Sequence, residues 1–123
     1  MELVLISTMR WLIDHNSRER LHDQVASCVR RGVASGELSV GEQLPPAAEL
    51  AVALSVDRNT VLAAYRDLRD AGVLEFRRGR GARVVSGGPA LSSVTEAAQK
   101  LIAIAAEHGL GTNDVIRIIK ELT

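Results

Sequence analysis

Aromatic side chains are nearly missing from this sequence: one Trp, one Tyr and one Phe make up 2% of 123 residues. That scarcity excludes base-stacking single-strand binders and RNA-recognition sheets, which need aromatic platforms. Cys28 is the only cysteine, so neither an intramolecular disulfide nor a multi-cysteine zinc site can form, and a reducing, cytoplasmic setting is expected. No apolar run approaches the roughly eighteen residues of a membrane span. The apolar opening, Met1 to Ile6, is too short for a signal peptide and lacks its basic leader. Net charge is absent as well: fifteen basic and fifteen acidic residues cancel. This excludes a uniformly basic nucleic-acid coat and leaves room for a local basic patch. No nucleophile, base and orienting group fall together. Gly79-Arg80-Gly81 is not a phosphate loop, since no helix follows it and no Gly-Lys-Ser/Thr is present. An enzyme is therefore not expected. His15, His22 and His108, even with Asp14 and Asp23 nearby, give no i, i+4 histidine pair, so no metal and no other cofactor is expected.

What is present is a globular composition, 46% hydrophobic and 24% charged, in one small domain with an appendage. A first helix is read from Asn16 to Ala34, with Asn16 as N-cap, Glu19 at capping-box spacing, a stripe of Leu21, Val25, Cys28, Val29 and Val33, and Gly36 as the stop. Residues 37–46 form a connector with turn chemistry and room for one short strand. Its two prolines sit before and at the first turn of a second helix, Ala47 to Leu54, which turns Leu50, Ala51 and Leu54 inward. Ser55-Val56 is a tight turn, and Asp57 is the N-cap of a third helix with Val61, Ala64, Tyr65 and Leu68 inside and Gly72 at its end. The period then becomes extended in residues 73–76 and 82–85, two short strands around Arg77-Arg78-Gly79-Arg80-Gly81. Ser86-Gly87-Gly88-Pro89 reads as linker. Two helices follow, 90–108 and 113–122, the second capped by Thr112.

Helix, helix, short turn, helix and arginine-tipped hairpin make a winged helix-turn-helix layout. The expected class is α+β, mostly α: a lead-in segment (1–15), a winged helix-turn-helix DNA-binding domain (16–86), a linker (87–89) and a two-helix dimerisation tail (90–123). In this layout Arg58 and Asn59 occupy the first turn of the recognition helix. There an Arg reads guanine and an Asn reads adenine by paired hydrogen bonds, each worth roughly 1–3 kcal/mol of discrimination. Thr60 adds a hydroxyl beside a helix N-terminus that favours phosphate. Arg66 lies on the same outward wall, either toward DNA or held in a surface pair by Asp67 or Asp70. Arg77, Arg78, Arg80 and Arg83 concentrate positive charge on the hairpin without an intervening acid. Exposed arginines often decorate an ordinary solvated turn; the flanking helices are what favour nucleic acid here. Tyr65 and Cys28, both on buried stripes, read as core.

At these residues the chain resembles the GntR family of bacterial transcriptional regulators. The resemblance runs from Leu21 to Val85 through Gly41-Glu42-Gln43-Leu44-Pro45, Glu49-Leu50-Ala51, Val56-Asp57-Arg58-Asn59-Thr60-Val61, Ala64-Tyr65, Gly72-Val73-Leu74 and Arg78-Gly79-Arg80-Gly81. The tail, from Lys100-Leu101-Ile102 through Gly109-Leu110 to Asp114-Val115-Ile116-Arg117-Ile118-Ile119, is similar to the short YtrA-type branch. Residues 1–9 fall outside the resemblance, with Met9 as an alternative start. The family likeness implies that Arg58, Asn59 and Thr60 touch operator DNA and that Gly79 and Arg80 form a wing tip reaching the minor groove. It also implies dimerisation through the C-terminal helices, with no large effector domain, and most often repression. Three positions depart from the family pattern: Pro46 replaces a frequent serine, and Ala48 and Leu62 replace frequent arginines, which bears on the operator sequence.

The expected DNA-binding set is therefore Arg58, Asn59, Thr60, Arg66, Arg77, Arg78, Gly79 and Arg80. The expected dimer seam is Leu101, Ile102, Ala105, Ile116 and Ile119, drawn from a tail too apolar for two helices alone. The partners are double-stranded DNA and a second copy, with a small-molecule effector left open and no membrane. A protein-interaction module built on the winged fold, or an effector- or metal-triggered sensor in the tail, are the rival classes.

Overall fold

In the computed structural model, which describes residues 2–6, 9–79 and 81–123, the chain opens with an antiparallel hairpin. Strand β1 (Glu2–Ile6) pairs with β2 (Met9–Ile13), from Glu2 opposite Ile13 to Ile6 opposite Met9. The sequence reading names this stretch only as a lead-in segment and assigns it no element. It alternates in the fold: Met9, Trp11 and Ile13 are buried, while Arg10 and Leu12 face out.

The first helix, α1 (Leu21–Ser35), starts five residues later than Asn16. Residues 14–19 instead make side-chain-stabilised turns: Asn16 N–H donates to Asp14 Oδ1 at 3.0 Å and Glu19 N–H to Ser17 Oγ at 3.1 Å. Buried Gln24 fixes them to α1, accepting from Asp14 N–H at 2.8 Å and donating to the carbonyls of Asp14 and Glu19 at 3.0 and 2.9 Å. Asx- and Ser-type turns of this kind compete with helix extension. Gly36 ends α1 in the left-handed region (φ 84°), as expected for a C-terminal glycine.

Helices α2 (Ala47–Leu54) and α3 (Arg58–Asp70) follow, then the hairpin of β3 (Leu74–Arg77) and β4 (Gly81–Val84). The connector before α2, where room was left for one short strand, forms instead an isolated bridge to β4. Gly41 N–H donates to Val84 O (2.7 Å), Val84 N–H to Glu42 O (2.9 Å) and Leu44 N–H to Ala82 O (2.8 Å), and Gln43 bridges Arg83. Helix α1 packs on β2 and α3, and α3 packs on α2 and β3. The core between them takes Trp11 and Ile13 from β2, Val25 and Val29 from α1, Leu50 and Leu54 from α2, Val61 and Leu68 from α3, and Leu74 and Val84 from the wing. Burying each aliphatic side chain contributes about 1.5–3 kcal/mol.

The segment read as linker is held down. Val85 N–H donates to Val73 O at 2.8 Å, Ser86 Oγ donates to Gly72 O at 2.6 Å, and Gly88 N–H donates to Ser86 Oγ at 3.1 Å. Helix α4 (Gly88–Glu107) therefore begins two residues before the expected start at 90. The chain divides into two units, Met1–Pro89 and Ala90–Thr123. In the second, α4 turns through residues 108–111 into α5 (Thr112–Leu122). Thr112, expected as the cap, is instead the first helical residue; Gly111 takes the N-cap position, and Asp114 Oδ2 accepts from its N–H at 2.9 Å. Among the described residues no helix is long and apolar enough to cross a membrane.

Candidate nucleic-acid interface

The turn between α2 and α3 is set by backbone hydrogen bonds. Ser55 takes a left-handed conformation (φ 56°, ψ 46°), and Val56 N–H reaches back to Ala51 O at 3.0 Å, the closing bond of a Schellman cap. His15, from the lead-in, places Nε2 at 3.0 Å from Leu54 O and 3.2 Å from Ser55 O, holding the same turn from outside. Sequence reasoning weighed His15 only as a metal ligand and missed this role, since nothing local brings residue 15 to residue 54.

The turn delivers the first turn of α3 to the surface. Arg58 and Asn59 are exposed and Thr60 is half-buried. Asp57 stands at the N-cap as expected, but its side chain makes no capping hydrogen bond. Thr60 N–H donates to Asp57 O at 3.0 Å, which leaves the N–H groups of Arg58 and Asn59 for an outside acceptor, the arrangement that suits a phosphate. Among the described residues Arg58 has no ion-pair partner. Neither Asp67 nor Asp70 holds Arg66: its Nε donates to Leu62 O at 3.3 Å, while Asp70 takes Arg69 at 3.3 Å and Asp67 faces His22 at 3.9 Å. Arg66 is exposed, and among the described residues no carboxylate pairs with its guanidinium.

The wing carries less free charge than a count of arginines suggests. Glu75, on the same face two residues earlier, pairs with Arg77 at 2.9 Å. Both partners are solvated, so the pair contributes little and a phosphate can compete for Arg77. Arg78 is exposed, and Gly79 turns the tip at φ 76°, where a Cβ would be strained. Arg80 lies outside the described residues. Arg83, half-buried, sits in the strand opposite Glu75. Phe76 receives Arg69 over its ring at 5.0 Å, tying the last turn of α3 to the wing. The apolar-outward position of Phe76 in its strand was the available signal for that contact.

Between α3 and the wing lies a cleft of about 200 Å³ lined by Pro45, Pro46, Leu62, Tyr65, Phe76 and Arg77 among others. Tyr65 is a core residue, as its stripe position implies: it is buried, its hydroxyl donates to Pro45 O at 2.7 Å, and burial pushes its phenol well above the ordinary range. Cys28 is buried too, with Sγ at 3.5 Å from Leu12 O.

In the second unit, Ala105 and Val115 are buried and line a cleft of about 160 Å³ together with Leu101, Ile104, Leu110 and Ile118. Within this chain Leu101, Ile102, Ile116 and Ile119 remain 40–52% exposed. Ala105 is thus already covered inside the helix pair, unlike the other four residues expected at the seam.

The family model described as bacterial regulatory proteins, gntR family, matches residues 21–84. Over 110 residues the chain is 34% identical to the HTH-type transcriptional regulator Rv1152 of Mycobacterium tuberculosis, with 89% of this chain and 91% of that protein covered. It is 26% identical over 117 residues to the HTH-type transcriptional repressor YtrA of Bacillus subtilis, covering 90% of each. Among solved structures it is similar to YtrA from Sulfolobus acidocaldarius, a GntR-family transcription factor, with a TM-score of 0.60 at 30% identity over 76% of this chain and 97% of that one.

Proposed function

The chain belongs to the GntR family of bacterial regulatory proteins, on its YtrA-like branch, and on that premise we propose that it represses transcription by binding a palindromic operator as a homodimer. It is a transcriptional regulator with a GntR DNA-binding domain, not an enzyme. The observation that carries the finer reading is the pairing of an uncapped, carboxylate-free first turn of α3 with an arginine-bearing wing in the same unit. In this reading α3 enters the major groove, where Arg58 and Asn59 read base edges and Thr60 and Arg66 reach the backbone. Arg77, Arg78, Gly79 and Arg80 lie along the neighbouring groove. Phosphate contacts fix register, and base contacts specify the site.

Dimerisation supplies the palindrome. Leu101, Ile102, Ile116 and Ile119 offer an aliphatic surface to a second copy, with Ala105 beneath it. A two-fold pair presents two recognition helices to half-sites about 34–36 Å apart, or a multiple of one turn. A small-molecule effector would act by shifting the population between dimers with matched and mismatched helix spacing.

Selection of random duplex DNA on the purified protein, with its mass recorded by sedimentation, tests the reading. An enriched inverted repeat bound by a dimer, with affinity falling steeply as salt rises, is the expected result. Absence of enrichment at low and moderate salt would overturn it and favour a winged fold used for protein contacts.

A further inference from the structure

The packing of α1 on α3 brings Asp67, near the end of α3, to the neighbouring His22 and Asp23 in the first turn of α1, a meeting no spacing in the sequence foretells. His22 Nε2 lies 3.2 Å from Asp23 Oδ1 and 3.9 Å from Asp67 Oδ2, and one donor atom from each residue falls within 4.8 Å of the other two. The set is mixed, one imidazole nitrogen and two carboxylate oxygens, and it spans two helices. Neither carboxylate has an arginine or lysine partner among the described residues. Arg69 pairs with Asp70, and Arg66 turns its Nε to Leu62 O rather than to Asp67. The His22 side chain is 28% exposed, and those of Asp23 and Asp67 are 52% and 55% exposed, so the imidazole is half-buried and the carboxylate side is open to water.

With a neutral imidazole the cluster holds two negative charges and a nitrogen lone pair. A first-row divalent cation sits about 2.0–2.2 Å from such ligands, which puts neighbouring donors roughly 3.0–3.5 Å apart. One pair already meets that separation, and rotation of the exposed Asp67 carboxylate closes the rest. We propose that His22, Asp23 and Asp67 form a zinc-class divalent cation site that clips the first turn of α1 to α3, with water completing the coordination. Imidazole beside carboxylate suits Zn²⁺ and its first-row neighbours, whereas Mg²⁺ prefers an all-oxygen set.

The full-length protein, stripped with a chelator, is titrated with Zn²⁺ by calorimetry while its melting temperature is followed. Binding of one ion per chain and a rise of about 5 °C at saturation are expected, with no comparable rise in Mg²⁺. Cobalt is expected to give visible absorption bands that Zn²⁺ bleaches. His22→Ala and Asp67→Asn should each weaken uptake at least tenfold, since even residues behind a metal ligand cost about 10–100-fold. Asp67→Asn alters only an exposed carboxylate, so it keeps the test open should His22→Ala fail to fold. Wild-type affinity in Asp67→Asn, or no zinc-dependent rise in the unaltered protein, would overturn the site and leave His22 as a bridge between two acids.

Discussion

Arg58 and Arg78 carry the same charge to different tasks, and single substitutions separate them. Arg58 stands where a fork of donors meets a base edge, so Arg58→Ala should cost about 1–3 kcal/mol at one base position and relax the preference there. Arg78→Ala should weaken all sequences evenly and reduce the salt slope by about one. Competition binding against single-base operator variants at several salt concentrations checks both. Tyr65, the only tyrosine, gives a pH prediction. The folded state disfavours its phenolate, while an unfolded tyrosine ionises near pH 10. The unfolded chain therefore loses a proton that the folded chain keeps. Stability is intact below pH 10 and falls as pH rises above it. Tyr65→Phe should cost about 0.5–1.5 kcal/mol at neutral pH, by removing the hydrogen bond to Pro45, and should flatten the alkaline limb measured by urea unfolding. Periodicity was enough to place Tyr65 in the core, and the chemistry of Arg58 was readable from its place in the first turn. Arg66, Arg69 and Arg77 turn to partners in their own elements, Leu62 O, Asp70 and Glu75, which sequence spacing allows but does not single out; only the meeting of Asp67 with His22 is set by the approach of separate elements.

At the scale of elements, helices with an apolar stripe and a stop residue were legible almost to the residue, as α2 and α3 are. Where a local signal competed with a longer-range one, the longer-range one won. Asn16 and Glu19 have capping-box spacing, but Gln24 gathers the backbone of residues 14–19 into turns and α1 begins at Leu21. The hairpin of β1 and β2 escaped notice because its strands are short and Leu12 blurs the alternation. Trp11→Ala should accordingly cost about 3–5 kcal/mol, the toll of emptying a core site rather than trimming a loose lead-in, measured by urea unfolding. The tight turn at Ser55 was anticipated, while its left-handed backbone was not. There Ser55→Val should destabilise by roughly 1–2 kcal/mol, as a β-branched residue is forced to positive φ.

The whole molecule is two units, and the second leaves aliphatic surface that two helices cannot hide. Replacing Ile119 with aspartate puts a charge on that surface. Ile119→Asp should sediment as a monomer and lose affinity for a two-half-site operator while keeping weak binding to a half-site. A variant that still sediments as a dimer would remove Ile119 from the seam. Excess apolar residues in the tail were visible in the sequence as a quantity. Their division into covered Ala105 and Val115 and uncovered Ile116 and Ile119 was not, since apolar positions occur on more than one face of each helix.

Patterns written within a dozen residues survive the passage from chain to fold: stripes at helical period, a glycine after the last turn, two extended runs around an arginine-rich tip. They settled the winged helix-turn-helix and its family, because each rests on backbone preferences and on one buried face. Contacts across tens of residues came from packing alone. His15 against the turn at Leu54, Gln43 beside Arg83, and His22 with Asp67 each join elements whose separation in the sequence carries no period. Their positions follow from how helices and strands close on a shared core, and the surface chemistry of the molecule is set there.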